Sequence, residues 1–282
     1  MLIAASVILY NPDESLLRNI WAIERQVSKI YLFDNSDNIA NDFITDLINK
    51  SNIKYLSKGT NVGVGEALNI CAHYAIEEGY DFLLTLDQDS FPTEGMVNQM
   101  LKNFNDEELK LIGIIAPYFV NRFETEKYTD GNFAESLFQK TSGNLLNLQI
   151  FQNAGDFRAD FFIDYVDIEY GFRLNKLGYK VMKIDDARLI HNEGNLERRK
   201  LFGRTFYFFN HAPVRWYYKI RNLFYLRDEF KNDYPEFFKR AYKNNIKQFI
   251  KILFYEDNKI KKIKYAFRGY QAYQRLEKGI IK

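Results

Sequence analysis

Along the first hundred residues, short β-branched and apolar runs alternate with helical patterns, and this alternation restricts the chain to an α/β fold with a wound sheet flanked by helices. Residues 3–10 read as a strand, 12–27 as a helix, 29–34 as a strand, 42–49 as a helix and 53–56 as a short strand. A helix over 65–78, closed by Gly79, and a strand over 81–87 complete what reads as a nucleotide-binding half. Further on, 94–103 reads as a helix, 112–119 as a strand and 124–138 as a polar, loop-like region. Residues 166–177 form a clear helix pattern stopped by Gly178, followed by a strand over 180–184. From Phe202 onward strands are expected to disappear and the pattern becomes helical, aromatic and basic. The expected division is a catalytic domain over 1–200 and a helical extension over 201–282, with no internal repeat and no flexible linker.

Polar residues gather where the strands end. The run Leu83 to Ser90, LLTLDQDS, closes on Asp87 and Asp89. Spaced i, i+2, they would share one side of an extended strand and offer hard oxygen ligands to Mg²⁺ or Mn²⁺, and through the ion to a diphosphate. Tyr10-Asn11-Pro12 follows the first strand, Asp34-Asn35-Ser36 the second, and Asn61-Val62-Gly63-Val64-Gly65 precedes a helix. In an open α/β sheet the ligand crevice lies at the carboxyl ends of the strands, so these segments can converge on one site. A helix beginning near Gly65 would present free N–H groups to a phosphate. Each segment alone also reads as an ordinary turn or strand stop, and only their recurrence favours a site.

A second loaded segment is FFIDYVDIE, residues 161–169, which sets three acids around the start of a helix. Asp167 and Glu169 lie roughly 200° apart around that helix, so they do not share a face. Asp167 is the better general-base candidate, while Glu169 and Arg173 read as an i, i+4 surface or supporting pair. His191, one of three histidines, is a candidate third metal ligand near a strand end.

Composition narrows the class. At 46% hydrophobic and 27% charged the chain has a globular balance, and Cys71, its only cysteine, excludes an intrachain disulfide or a cysteine-based zinc site. The apolar start lacks a basic flank and a cleavage signal, and no stretch approaches the roughly 18 apolar residues of a membrane span. A cytoplasmic location, peripheral at the inner membrane face, is the expectation. From Arg198 to the end there are 22 Lys and Arg against 7 Asp and Glu, so a tail near +15 follows a first part near −13. That split suggests an anionic partner for the tail, with a membrane surface the leading candidate and packing of its aromatics into a core the competing reading. Nothing resembles a base-reading module, so nucleic acid is not expected.

The ordered set YNP, DNS, NVGVGEALN, DQDS, TSGNLL, FIDYVDIEYGF and HNEG resembles the inverting glycosyltransferases of family 2, with the GT-A fold. It is most similar to the rhamnosyltransferase-type members, in which a later aromatic Arg-Asn stretch recurs, here Trp216 to Asn222. The resemblance covers about residues 1–225. It implies that Asp34 holds the nucleobase, with Tyr10 and Asn11 beside the donor, and that Asn61 and Gly63 face the ribose and diphosphate. Asp87 and Asp89 would then serve the metal region, completed by His191, and Asp167 would be the catalytic base. One position departs from the family: Val166 stands where an acid commonly precedes the base, leaving Asp164 or Glu169 as the candidate support. The implied activity is metal-dependent transfer of L-rhamnose from dTDP-rhamnose to a glycan or lipid-linked oligosaccharide acceptor in cell-surface polysaccharide synthesis. A UDP-hexose or UDP-galactofuranose donor, a sugar-nucleotide pyrophosphorylase and a non-catalytic carbohydrate-binding protein are the alternatives.

Overall fold

The computed structural model describes residues 1–37, 44, 47–120, 132–191, 196–201 and 204–281, with the backbone alone at 191, 196–201 and 204–209. The chain forms two compact units, Met1–Ala159 with Val166–Asn192, and Asp160–Tyr165 with Glu193–Lys282.

The described elements of the first unit are β1 (Ile3–Leu9), α1 (Ser15–Glu24), β2 (Lys29–Asp34), β3 (Ile53–Ser57), α2 (Val64–Glu77), β4 (Phe82–Asp87) and β5 (Ser90–Pro92). They continue with α3 (Met96–Leu101), α4 (Asp106–Leu109), β6 (Ile112–Val120), β7 (Phe133–Ser136), β8 (Asn144–Asn147), α5 (Leu148–Ala154), α6 (Val166–Lys176) and β9 (Lys180–His191). Strands β3, β2, β1 and β4 run parallel in that order, and the sheet continues through β8, β6, β9 and β5, with β7 also on β9. β8 is antiparallel to both neighbours, whereas β6 and β9 are parallel.

Parallel strands covered on both faces need nearly continuous apolar sequence, which is why β1, IAASVIL, and β4, FLLTLD, carry almost no solvent-facing residue. One core cluster joins Val7 of β1, Leu32 of β2 and Leu84 of β4 to Leu16, Ile20 and Ile23 of α1. Each such side chain contributes roughly 1.5–3 kcal/mol on burial.

The second unit holds β10 (Leu196–Leu201) and β11 (Arg204–Phe209) as an antiparallel hairpin, then α7 (Pro213–Phe230), α8 (Pro235–Phe254) and α9 (Lys259–Gln274). Pro213 and Pro235 open their helices, where a missing N–H costs nothing. Trp216, Ile220, Ile252 and Ala266 form one small core of this unit. Tyr217, Tyr218 and Ala272 form another, with Phe162 and Ile163 packed on it.

Several expectations change. β11 shows that strands do not end at Phe202; a two-stranded ribbon is held by its own ladder and needs no apolar alternation to read. Within the loop-like region, β7 is a strand whose residues Phe133, Ala134 and Glu135 are solvent-exposed, so its pairing with β9 leaves no hydrophobic pattern. The strand begun at Lys180 runs on to His191, past a register shift opposite Pro117 and Tyr118. Of the helix expected over 42–49, residues 42, 43, 45 and 46 lie outside the described residues, and 44, 47 and 48 are helical.

Gly269 on α9 lets the two helices close: a Cβ there would fall on the carbonyl oxygen of Tyr217 on α7. Backbone cannot yield as a flexible side chain does. Gly269→Ala is therefore expected to lower stability by about 1–3 kcal/mol or more in a denaturant titration. An unchanged midpoint would show that the helices are free to part.

Candidate functional site

The registers set β1, β2 and β4 level at their carboxyl ends, with Leu9 opposite Asp34 and Ile8 opposite Asp87. There the ladder stops, and polar side chains take over its hydrogen bonding. The Asn35 N–H donates to the Leu9 carbonyl at 2.9 Å, the Asn11 N–H to Ser36 Oγ at 2.7 Å, and the Val62 N–H to Asn35 Oδ1 at 2.7 Å. These segments, expected to converge, are thus tied together by backbone N–H donors and the carbonyl and polar side chains that accept from them.

Asp34 is buried, and its two carboxylate oxygens accept from the Ser36 N–H at 2.9 Å and the Tyr55 hydroxyl at 2.7 Å. Burial and the neighbouring Asp34 carboxylate push the Tyr55 pKa up, so the phenol stays a donor. Each oxygen of Asp34 keeps a second lone pair for a further donor. Tyr10 is exposed, and Asn11 adopts a left-handed backbone with φ +45°. Asn61 Oδ1 accepts the Gly63 N–H at 2.9 Å, and Gly63 caps α2 at φ +86°, ψ +166°, a conformation open essentially to glycine. The first amides of α2 follow directly, without intrahelical partners by helix geometry.

Between Asp87 and Asp89 the chain turns. Gln88 and Asp89 form the turn from β4 to β5, so the alternation of a strand ends at Asp87. Gln88 is the clamp of this turn: its amide accepts the Tyr10 N–H at 2.7 Å and donates to the Tyr10 carbonyl at 3.1 Å, while its own carbonyl accepts from Asn19 Nδ2 at 2.7 Å. Buried Ser142 braces the other side, accepting the Asp87 N–H at 3.0 Å and sharing a hydrogen bond with Ser90 at 2.7 Å. Ser90 in turn pairs with His191 in the β5–β9 ladder. The backbone of β9 therefore runs beside the residue that follows Asp89. Among the described side chains, which do not include His191, no group of three acids, histidines or cysteines is close enough to hold a metal.

Asp167 sits in the first turn of α6, where its Oδ1 accepts the Ile168 N–H at 2.9 Å. The two candidate supports, Glu169 and Asp164, each hold an arginine. Glu169 is buried rather than at the surface, and both its oxygens take the Arg173 guanidinium at 2.9 and 2.8 Å. Arg173 spends its remaining donors on the carbonyls of Ala154, Gly155 and Asp156, so the pair fastens α6 to the end of α5. Asp164 belongs to the other unit, and its carboxylate is held by Arg215 at 3.0 Å.

In the sequence, the chain leaves the sheet unit at Asp160 and returns at Val166, one residue before Asp167. Phe162, Asp164 and Tyr165 all adopt positive φ, between +63° and +68°, a conformation that costs on the order of 1–3 kcal/mol per residue. Fully buried Arg221 and Asn222 of α7 hold this strained segment. Asn222 Nδ2 donates to the carbonyls of Phe161, Ile163 and Asp164, and Arg221 to those of Asp160 and Phe161. The sequence showed the Arg-Asn pair but not its task, because its partners lie some sixty positions away. Gln88 and Ser142 were missed for the same reason.

A cavity of about 380 Å³ lies elsewhere in this unit, among Met1, Asp81, Phe82 and Asn147 at the amino ends of β1 and β4. It is at the wrong end of the strands for a crevice ligand.

Asn222→Ala would strand buried carbonyls, each worth about 1–3 kcal/mol when left unpaired, so a loss of at least about 2 kcal/mol is expected on denaturant unfolding. A loss below about 0.5 kcal/mol, less than one net hydrogen bond, would mean that water replaces the amide.

Comparison with known proteins places this geometry. The model of glycosyl transferase family 2 matches residues 6–164. RfbF, a dTDP-rhamnosyl transferase of Shigella flexneri, is 26% identical over 243 residues, which cover 79% of this chain and 79% of that protein. Among solved structures, GalNAc-T7 crystallised with UDP, GalNAc and Mn²⁺ superposes with a TM-score of 0.63 at 12% identity, over 84% of this chain and 49% of the other. The 1–349 form of TarS from S. aureus gives 0.54 at 13% identity, over 98% of this chain and 92% of the other. This chain thus spans about half the length of GalNAc-T7. At such identities the structural likeness speaks for the fold, a GT-A mixed sheet flanked by helices with further helices at the C-terminal end. With the family model covering more than half of its length, the chain belongs to glycosyl transferase family 2.

Proposed function

We propose that this glycosyltransferase moves L-rhamnose from dTDP-rhamnose to a hydroxyl of a glycan or lipid-linked oligosaccharide, with inversion at the anomeric carbon, at the cytoplasmic face of the membrane. The observation that carries the reading is the hydrogen-bonded convergence of Tyr10-Asn11, Asp34-Asn35-Ser36, Val62 and Asp87-Gln88 at level strand ends. The rhamnosyl donor is supported by the relative from S. flexneri. Family membership favours transfer over pyrophosphorylase chemistry and over a purely binding role.

In this reading Asp34 accepts the imide N–H of the pyrimidine through a remaining lone pair, beside Tyr10 and Asn11. Asn61, Gly63 and the first amides of α2 face the ribose and diphosphate, where the helix end favours negative charge. Asp87, Asp89 and His191 would hold Mg²⁺ or Mn²⁺, which supplies positive charge against the diphosphate leaving group. The acceptor oxygen forms its bond to the anomeric carbon as the bond from that carbon to the diphosphate oxygen breaks. Asp167 takes the acceptor proton in the same step, from the face opposite the leaving group.

A thermal-shift screen of nucleotide sugars with and without Mn²⁺ tests the donor. Ligand at about 100 times its Kd should stabilise the fold by about 2.7 kcal/mol, for dTDP-rhamnose and only weakly for UDP-sugars. Selective stabilisation by a UDP-sugar would replace the donor, and a flat response to all would remove the reading. Asp89→Ala is expected to lose the Mn²⁺-dependent part of that shift while keeping its melting temperature without ligand. Wild-type transfer by this variant at saturating Mn²⁺ would take Asp89 out of the metal site.

Asp167→Asn should keep the donor-induced shift and lose transfer by about 10²–10⁴-fold, since an amide has the shape of the carboxylate but cannot take the proton. Because Glu169 and Asp164 are committed to Arg173 and Arg215, neither is expected to rescue the variant. Transfer at the wild-type rate would assign the base elsewhere.

A further inference from the structure

The large apolar side chains of the tail divide into two populations. Trp216, Tyr217, Tyr218, Phe230 and Phe238 are buried within the helical unit and are structural. Another set faces solvent. On α8, Ile246 is 62% exposed and Phe254 67%, with Ile250 and Leu253 exposed between them. On α9, Ile260 is 71% exposed and Phe267 61%, with Ile263 between them.

Their spacing is helical. Positions 246, 250 and 253 fall within about 60° of one another around α8, as do 260, 263 and 267 around α9. The buried residues Asn245 and Ile252 of α8, and Lys262, Ala266 and Gly269 of α9, lie on other faces of their helices. Both stripes run up to the same elbow, the short turn from Tyr255 to Asn258. A monomer that leaves this many large side chains wet on two successive helices carries a surface made to be covered.

The flanking charge decides what covers it. Between Phe237 and Arg268 there are ten Lys and Arg against two acids, Glu256 and Asp257. Glu256 is buried against Lys262 at 2.8 Å, so both leave the surface count. The others, among them exposed Lys243, Lys247, Lys261 and Lys264, border the apolar stripes. A twofold contact with a second copy would bring these lysines face to face, which electrostatics opposes. An anionic plane with an apolar interior answers both halves of the pattern.

We propose that the α8–α9 elbow docks on an anionic lipid surface, with Ile246, Ile250, Phe254, Ile260 and Phe267 entering the headgroup region and the bordering lysines pairing with phosphates. Among the described residues no helix is long and apolar enough to cross a membrane, so the contact is interfacial. The inference stands on this surface and is independent of the donor assigned above.

Full-length protein is sedimented with vesicles of phosphatidylcholine, with and without phosphatidylglycerol. Wild type should bind the anionic vesicles at least about tenfold more tightly, and salt should weaken that binding. The triple variant Phe254→Ser, Ile260→Ser, Phe267→Ser should lose at least about tenfold while keeping its melting temperature, since the residues it changes are exposed. A second variant, Lys243, Lys247, Lys261 and Lys264 each to Gln, should lose the preference for anionic vesicles. Failure of wild type to bind anionic vesicles, or unchanged binding by either folded variant, overturns the proposal. A wild-type dimer that the triple variant converts to monomer, without vesicle binding, would assign the face to a second copy. The nucleotide-sugar thermal shift of both variants should match wild type, which separates this test from that of the donor site.

Discussion

Where a parallel sheet stops, its backbone amides and carbonyls lose their ladder partners, and an unpaired buried amide is too costly to tolerate. Much of this molecule follows from how β1, β2 and β4 meet that requirement at one level. Asn35 joins β1 to the loop before α2, Ser36 joins β2 to Asn11, and Gln88 joins β4 to Tyr10. Asn35 and Ser36 are short and buried, and with Gln88 they tie together the segments that carry Asp34, Gly63, Asp87 and Asp89. The polar residues of the crevice are thus part of the sheet's own closure, and a site built on such ends is rigid before any ligand arrives.

The strained segment before Asp167 follows the same logic with different donors. Positive φ at Phe162, Asp164 and Tyr165 leaves carbonyls pointing where no regular element can receive them, and Arg221 and Asn222 supply the donors from the middle of a helix. Stacking of Phe162 on Tyr218, with ring centres 4.8 Å apart, adds an apolar contact to the polar one. The Arg-Asn pair therefore has a structural explanation, and so does its aromatic surrounding: Arg221 lies over the rings of both Tyr217 and Tyr218.

What the sequence disclosed is what rests on local physics. The strand from Lys29 to Asp34 and the helix starting at Val166 read at their true starts, because a doubly buried strand is a continuous apolar run and Gly178 marks the stop of α6. The clustering of polar strand ends was legible because turns need those residue types. Illegible were β5, only three residues long, and β7, whose exposed side chains carry no pattern. Glu169 was left open between two readings for a related reason. An i, i+4 acid and base look alike on a surface and in a core, and the carbonyls of Ala154 to Asp156 that also hold Arg173 leave no mark beside the pair. Long-range hydrogen bonds leave no period in a sequence.

The charge of the tail shows how composition compresses two physical situations into one number. Arg221 is fully buried on backbone carbonyls, Lys262 is buried on Glu256 and Asn210, and Arg215 holds Asp164; these cations complete hydrogen-bonding requirements inside the fold. Lys219 is partly buried beside Gln248, and loss of solvation lowers its pKa, so its surroundings disfavour the charge. His211 beside Arg215 is pushed down to about 4 by burial and by that guanidinium, so it is neutral near pH 7. Lys243, Lys247, Lys261 and Lys264 of α8 and α9 differ in kind: they are exposed and stand beside apolar side chains that are themselves exposed. This second population can answer an external anionic surface, and it occupies the two helices on which the exposed apolar stripes are found.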